Sequence, residues 1–226
     1  MKSLLTTCLV SVFAASAIAA ESTPADQVKA AARSLSAQKN YAWVSTPRSE
    51  AASANWRQGP TYGQTEKDGY TYFKFELGDN TIEGAFKGAK RAIKLRDSWE
   101  SSEELVDDRA WIGERLKAFQ SPAGEAEQLA ASTTKLEKQA DNTLSGSLTE
   151  ERIKDILLMG RRPETPPKDI KGTVRFWLKD GALTKYEFNV QGKVSGREGQ
   201  EFEVNRTTTV EVKGTMPTSS PRYNGR

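Results

Sequence analysis

The stretch Val174-Arg175-Phe176-Trp177-Leu178-Lys179-Asp180-Gly181-Ala182-Leu183-Thr184-Lys185-Tyr186-Glu187-Phe188-Asn189-Val190 decides the fold. Its first half alternates Val174, Phe176 and Leu178 with Arg175, Trp177 and Lys179. Its second half sets Tyr186, Phe188 and Val190 against Lys185, Glu187 and Asn189. A period of two with one apolar and one polar face belongs to an antiparallel sheet wetted on one side. Lys179-Asp180-Gly181 between the halves is a hairpin turn signal. The spacing predicts long strands at about 170–179, 183–192 and 201–213. In the last, Phe202, Val204, Val210 and Val212 share a face with Arg206 and Thr208.

The same pattern recurs upstream. In Tyr70-Thr71-Tyr72-Phe73-Lys74-Phe75-Glu76-Leu77, Phe73, Phe75 and Leu77 share one face. Lys74 and Glu76 share the other with Tyr70 and Tyr72. Strands are predicted at 41–45, 61–66, 70–77, 81–87, 90–95, about 134–140 and 144–147, with a loop over 47–60. Thr23-Pro24-Ala25-Asp26 opens a helix whose Val28, Ala31, Ala32 and Leu35 form one apolar stripe. A helix at roughly 107–119 carries Val106, Trp111, Ile112, Leu116 and Phe119 on one side. Pro122 to Leu129 forms a second helix, and Thr149-Glu150-Glu151-Arg152 starts a third with Ile153, Ile156 and Leu157 inward. Apolar sheet faces need cover and these helices supply it, so the expected class is α+β.

Lys2, the short apolar run Leu4 to Ala15 and the small residues Ala17-Ile18-Ala19 form a secretory signal peptide. The run is too short to span a bilayer, which takes ~20 apolar residues. Residues 1–20 are therefore read as a leader, 21–214 as one domain and 215–226 as a polar, disordered tail. The chain is expected in the periplasm or outside the cell, without a transmembrane segment.

Composition excludes several chemistries. With 226 residues and no histidine, the chain has no Ser-His-Asp triad and no imidazole metal ligand or general base. Its one cysteine, Cys8, lies in the leader. A net charge of +3 gives no basis for a nucleic-acid partner. No cofactor, metal or catalytic residue is expected. The remaining enzyme reading is a Ser/Lys hydrolase resting on Ser36-Ala37-Gln38-Lys39, whose spacing would place both side chains on one helix face.

The order of signal peptide, helix, Tyr41-Ala42-Trp43 strand, meander, central helices and three long strands around Trp177–Tyr186 resembles the periplasmic lipoprotein-carrier superfamily. That superfamily includes LolA-like and LppX/LprG-like proteins, and the sensor domains of RseB-like regulators are also similar. The resemblance spans about residues 24–213 and is one of element order. It implies a strongly curved antiparallel sheet, an unclosed half-barrel, with helices over its concave face. It also implies an apolar space between them that takes an acyl chain or another hydrophobe.

The residues assigned to that interior are Phe73, Phe75, Leu77, Phe86, Trp111, Leu116, Phe119, Phe176, Tyr186, Phe188 and Arg206. Apolar inward residues serve a packed core and a ligand cavity equally well, so both readings stand at this level. Arg206 has two as well: turned outward at an edge or bulge, or inward with its donors on backbone carbonyls or a headgroup. Lys87, Lys90, Arg91, Lys94 and Arg96 form the basic cluster, a solvated sheet face or a contact for anionic headgroups. The function expected is binding of a lipid, acyl chain or other hydrophobe by a monomeric exported protein. The alternative is a non-enzymatic envelope sensor with a filled core and a protein partner.

Overall fold

The computed structural model describes residues 22–50, 58–77, 80–95, 97–158, 165–195 and 200–214. The leader and the tail assigned from sequence lie outside the described residues.

Alternating segments have one apolar face to bury, and among the described residues eleven strands, most of them of this kind, form one antiparallel sheet. The first six strands are β1 (Asn40–Ser49), β2 (Gln58–Glu66), β3 (Thr71–Leu77), β4 (Asn80–Lys87), β5 (Lys90–Leu95) and β6 (Ser98–Ser101). The rest are β7 (Thr133–Lys138), β8 (Leu144–Leu148), β9 (Lys168–Lys179), β10 (Ala182–Ser195) and β11 (Glu201–Val212). Their order is β6-β5-β4-β3-β2-β1-β11-β10-β9-β8-β7. Neighbours in space are neighbours in sequence except at the seam, where β1 pairs with β11 from Trp43↔Val212 to Ser49↔Arg206. The end strands β6 and β7 do not meet, so the sheet stays open. Asp180 and Gly181, both at positive φ (51° and 76°), make the tight turn that joins β9 to β10.

Among the described residues four α-helices cover the sheet: α1 (Pro24–Ser36), α2 (Ala110–Ala118), α3 (Pro122–Ala131) and α4 (Glu150–Leu158). Thr23 and Ser121 cap α1 and α3, each accepting a backbone N–H through its side-chain oxygen, and each is followed by Pro at the first turn. Val28, Ala31, Ala32 and Leu35 are all buried, and the small residues Ala123, Ala126 and Ala130 let α3 lie close against α1. α4 settles on β9 and β10 over Gly172 and Gly192, where an added Cβ would meet Ile153 at 2.6 Å and Leu157 at 2.9 Å.

The sequence reading needs correction at several places. Pro47–Ser49 and Gln58–Pro60 belong to strands rather than to a loop. Pro47 is tolerated because β1 pairs with β2 only through Ser45, leaving β11 as its sole neighbour there. β6 has no apolar alternation to betray it. α2 begins only at Ala110: Val106 precedes it and is 54% exposed, and Phe119 follows it in extended conformation. α1 ends at Ser36, so Lys39 lies beyond the helix and shares no helical face with Ser36, whose hydroxyl donates to the Arg33 carbonyl.

Candidate functional site

The cavity begins with a row of side chains that only the register reveals. Trp43, Gly63, Phe73, Gly84 and Ile93 stand directly opposite one another across β1 to β5. Bulky residues alternate with glycines, and each aromatic ring leans over its glycine. A Cβ on Gly63 would lie 2.1 Å from the Trp43 ring, and one on Gly84 2.3 Å from Phe73 Cζ. The indole Nε1 donates to Thr65 Oγ1 at 3.2 Å, which fixes the ring's orientation. Phe73 stacks on Phe119 with centroids 4.3 Å apart and planes 7° apart, which ties the sheet to the segment after α2.

Between this floor and the helices lies a partly open cavity of about 1050 Å³. The sheet contributes Trp43, Phe73, Phe75, Ile82, Ile93, Leu95, Phe188 and Val210. The cover contributes Ile112 and Leu116 of α2, Phe119, Pro122 and Glu125 of α3, and Arg152 and Ile156 of α4. The sheet residues come from seven consecutive strands, β5 to β10 through the β1–β11 seam. Laid flat at ~4.8 Å spacing, seven strands would span about 29 Å. Their side chains reach one cavity because the sheet curls. Bulges in β2 and β10 contribute to that bend.

Two arginines rising from the sheet hold the cover at opposite ends. Arg91 on β5 donates through Nη1 to the carbonyls of Leu116 (3.0 Å) and Phe119 (2.7 Å), with its guanidinium 4.9 Å above the Phe86 ring. Arg206 on β11 donates through Nη2 to the Ile156 carbonyl at 2.9 Å. Leu116 and Ile156 lie in the last turns of α2 and α4, where carbonyls lack partners within the helix and a cation is favoured by the dipole. Of the two sequence readings of Arg206, the inward one with donors on a covering helix is the one observed.

A polar pole interrupts the apolar wall. Tyr186 donates its hydroxyl to Glu125 Oε2 at 2.6 Å. Burial pushes the Glu125 carboxyl above the usual range, opposed by the Tyr186 hydrogen bond and then by the charges of Arg152 and Arg206. Tyr186 is pushed well above its ordinary value by burial and by the neighbouring carboxylate. Glu114 and Asp155 also border the cavity but are exposed, and Glu114 pairs with Lys117 at 2.7 Å. Among the described residues no group of three or more Cys, Asp or Glu side chains is placed to hold a metal ion.

Of the residues assigned from sequence, Phe73, Phe75, Leu116, Phe119, Tyr186, Phe188 and Arg206 come together around the cavity. Phe86 and Phe176 do not: both are buried in core packing, Phe86 under Arg91 and Phe176 against Tyr186. The side chains of Leu77 and Trp111 lie outside the described residues. Sequence reasoning missed Trp43, Ile82, Ile93, Glu125 and Arg152 among the lining residues. Ile93 and Trp43 carried an alternation signal, whereas Glu125 looks like an ordinary first-turn acid of α3. The basic cluster does not form one patch. Lys87 pairs with Asp68 at 2.6 Å, Lys94 with Glu83 at 3.1 Å, Arg91 faces inward, and Arg96 lies outside the described residues.

No family model matches the chain, and no curated protein does. The chain is similar in structure to LprF from Mycobacterium bovis, with 10% identity, TM-score 0.47, and coverage of 88% of this chain and 95% of that one. It is also similar to LolA superfamily protein NE2245 from Nitrosomonas europaea, with 9% identity, TM-score 0.37, and coverage of 89% and 96%. The architecture itself rests on the sheet order and helices described above: an open, curled antiparallel sheet with its covered face toward the helices.

Proposed function

We propose that this protein is an exported binding protein that carries a lipid, acyl chain or other hydrophobe in the cavity between sheet and helices. The reading takes residues 21–214 as one half-barrel domain between a cleaved leader and a polar tail, working as a monomer in the periplasm or outside the cell. The observation that carries it is the cavity of about 1050 Å³ walled by Phe73, Phe75, Ile82, Ile93, Leu95 and Phe188. Ligand pockets run from ~300 to ~1,000 Å³, so this volume accommodates a long chain. Each methylene moved there from water contributes about 0.8 kcal/mol before the cost of immobilising the ligand. No observation favours the alternative of a sensor with a filled core, and no helix among the described residues is long and apolar enough to cross a membrane.

The test is mass spectrometry of protein purified from its own cell envelope. Organic extraction should release a lipid in near-stoichiometric amount, and the intact mass should show cleavage near Ala19 or Ala20. A chain that keeps Met1, or a protein that neither retains a lipid nor takes up a fluorescent fatty acid, would overturn the reading.

A further inference from the structure

We propose that loading of the cavity is coupled to a proton at Glu125: an apolar chain that fills the space drives this carboxyl neutral, so the protein holds neutral hydrophobes in acid and releases them as pH rises. This rests on the carrier reading and adds how the same site is regulated. Glu125 stands in the first turn of α3 and borders the cavity. The residue keeps partial access to solvent, and the partly open cavity lets water reach its carboxyl. A chain seated against Phe75 and Phe188 on the same wall takes that water away.

The groups facing Glu125 fix the sign of the coupling. Tyr186 of β10 donates its hydroxyl to Oε2 at 2.6 Å, and Tyr41 of β1 stands near Tyr186. Burial pushes both hydroxyls upward, so both stay neutral over the range in question. Arg152 of α4 and Arg206 of β11 pull the carboxyl toward ionisation, and Arg115 of α2 lines the same cavity. Guanidiniums stay charged throughout, and Arg206 is held by the Ile156 carbonyl, so their attraction is in place before and after loading. Glu114 of α2 and Asp155 of α4 lie on the exposed rim, where bulk water still reaches them when the interior fills. Glu127 of α3 pairs with Arg33 of α1 at 3.1 Å and does not border the cavity. Burial already outweighs the two guanidiniums and the Tyr186 bond, since the carboxyl sits above its usual range. What loading changes is the hydration of Glu125. Loss of water penalises the charged form, and reciprocally the charged form penalises the apolar ligand.

The test titrates decan-1-ol, a neutral probe with no group that ionises in this range, by calorimetry from pH 4.5 to pH 8, each pH in two buffers of different ionisation heat. Affinity should fall about tenfold across the range, a factor usual for two coupled ligands. The heats in the two buffers should differ in the sense of proton uptake on binding. Glu125→Gln should remove both the slope and the uptake. Tyr186→Phe deletes the bond that lowers the carboxyl and should move the fall in affinity to higher pH, which keeps the test decisive should Glu125→Gln fail to fold. Glu127→Gln, on the same helix but outside the cavity, should keep the wild-type slope. Affinity independent of pH without proton uptake, or affinity that rises with pH, overturns the inference and leaves the carrier reading intact. So does a slope that survives Glu125→Gln or is lost equally in Glu127→Gln. No binding of the probe at any pH defeats the carrier reading itself.

Discussion

Replacing Phe188 by Ala, and Phe176 by Ala in a separate protein, distinguishes a cavity wall from a packed core within one hairpin. The two rings lie on neighbouring strands with Phe188 opposite Val174 and Phe176 opposite Tyr186. Both are buried, at 5% and 0% exposure, but only Phe188 borders the cavity. Truncating Phe176 removes its transfer energy and leaves a new void among close-packed neighbours, a cost of about 3–5 kcal/mol. Truncating Phe188 loses the transfer energy, roughly 2 kcal/mol, but merely widens a space that already exists, so the void contribution is small. At about 2–4 °C per kcal/mol for a chain of this size, the difference of about 1–3 kcal/mol should make Phe176→Ala melt about 2–12 °C below Phe188→Ala. Binding should separate the pair in the opposite sense. A fluorescent fatty acid titrated at a temperature where both variants are folded should find its affinity or capacity altered by Phe188→Ala and unchanged by Phe176→Ala. Denaturant melts with and without the probe supply both numbers. Equal stability losses together with unchanged probe binding in Phe188→Ala would refute the assignment of that ring to a cavity wall.

Gly63→Ala should cost about 1–3 kcal/mol by overpacking, since its Cβ would enter the Trp43 ring at 2.1 Å; a denaturant midpoint unchanged from wild type would contradict the ring-over-glycine packing. Arg91→Leu removes the donor to the Leu116 and Phe119 carbonyls and should cost about 1.5–3 kcal/mol. Its local signature is faster amide exchange across 110–119 with α1 unaffected, and uniform exchange would count against it. Burial raises the Glu125 pKa in the folded state above its unfolded value near ~4.3, so its stabilising share is full below the unfolded value and is lost as pH rises through the folded one. Glu125→Gln keeps an acceptor for Tyr186 and should therefore gain on the wild type in melting temperature from pH 4 to pH 8. A gap that narrows with pH would mean that Arg152 and Arg206 outweigh burial.

Much of this protein was decided by its sequence alone. Alternation in 174–178, 186–190 and 73–75 fixed which side chains face inward, because a strand's two faces follow from its period whatever its neighbours are. The stripe Val28, Ala31, Ala32 and Leu35 and the capping residues Thr23 and Ser121 settled two helices through local hydrogen bonding and burial. Absent histidine settled which chemistries are unavailable. The tertiary structure decided what lies beside what. The pairing of β1 with β11 joins residues more than 150 positions apart, and nothing in either strand names the other. The pairings from β1 to β5 set the register that alternates Trp43, Gly63, Phe73, Gly84 and Ile93, and the seam joins those strands to β11 and β10 so that seven strands reach one cavity. Phe86 and Phe176 followed the same inward pattern as Phe73 and Phe188, yet fell into core packing. An inward direction is a local property of the strand. Whether packing atoms or empty space meets it depends on where distant helices stop, and here Arg91 and Arg206 hold the ends of α2 and α4 across the cavity.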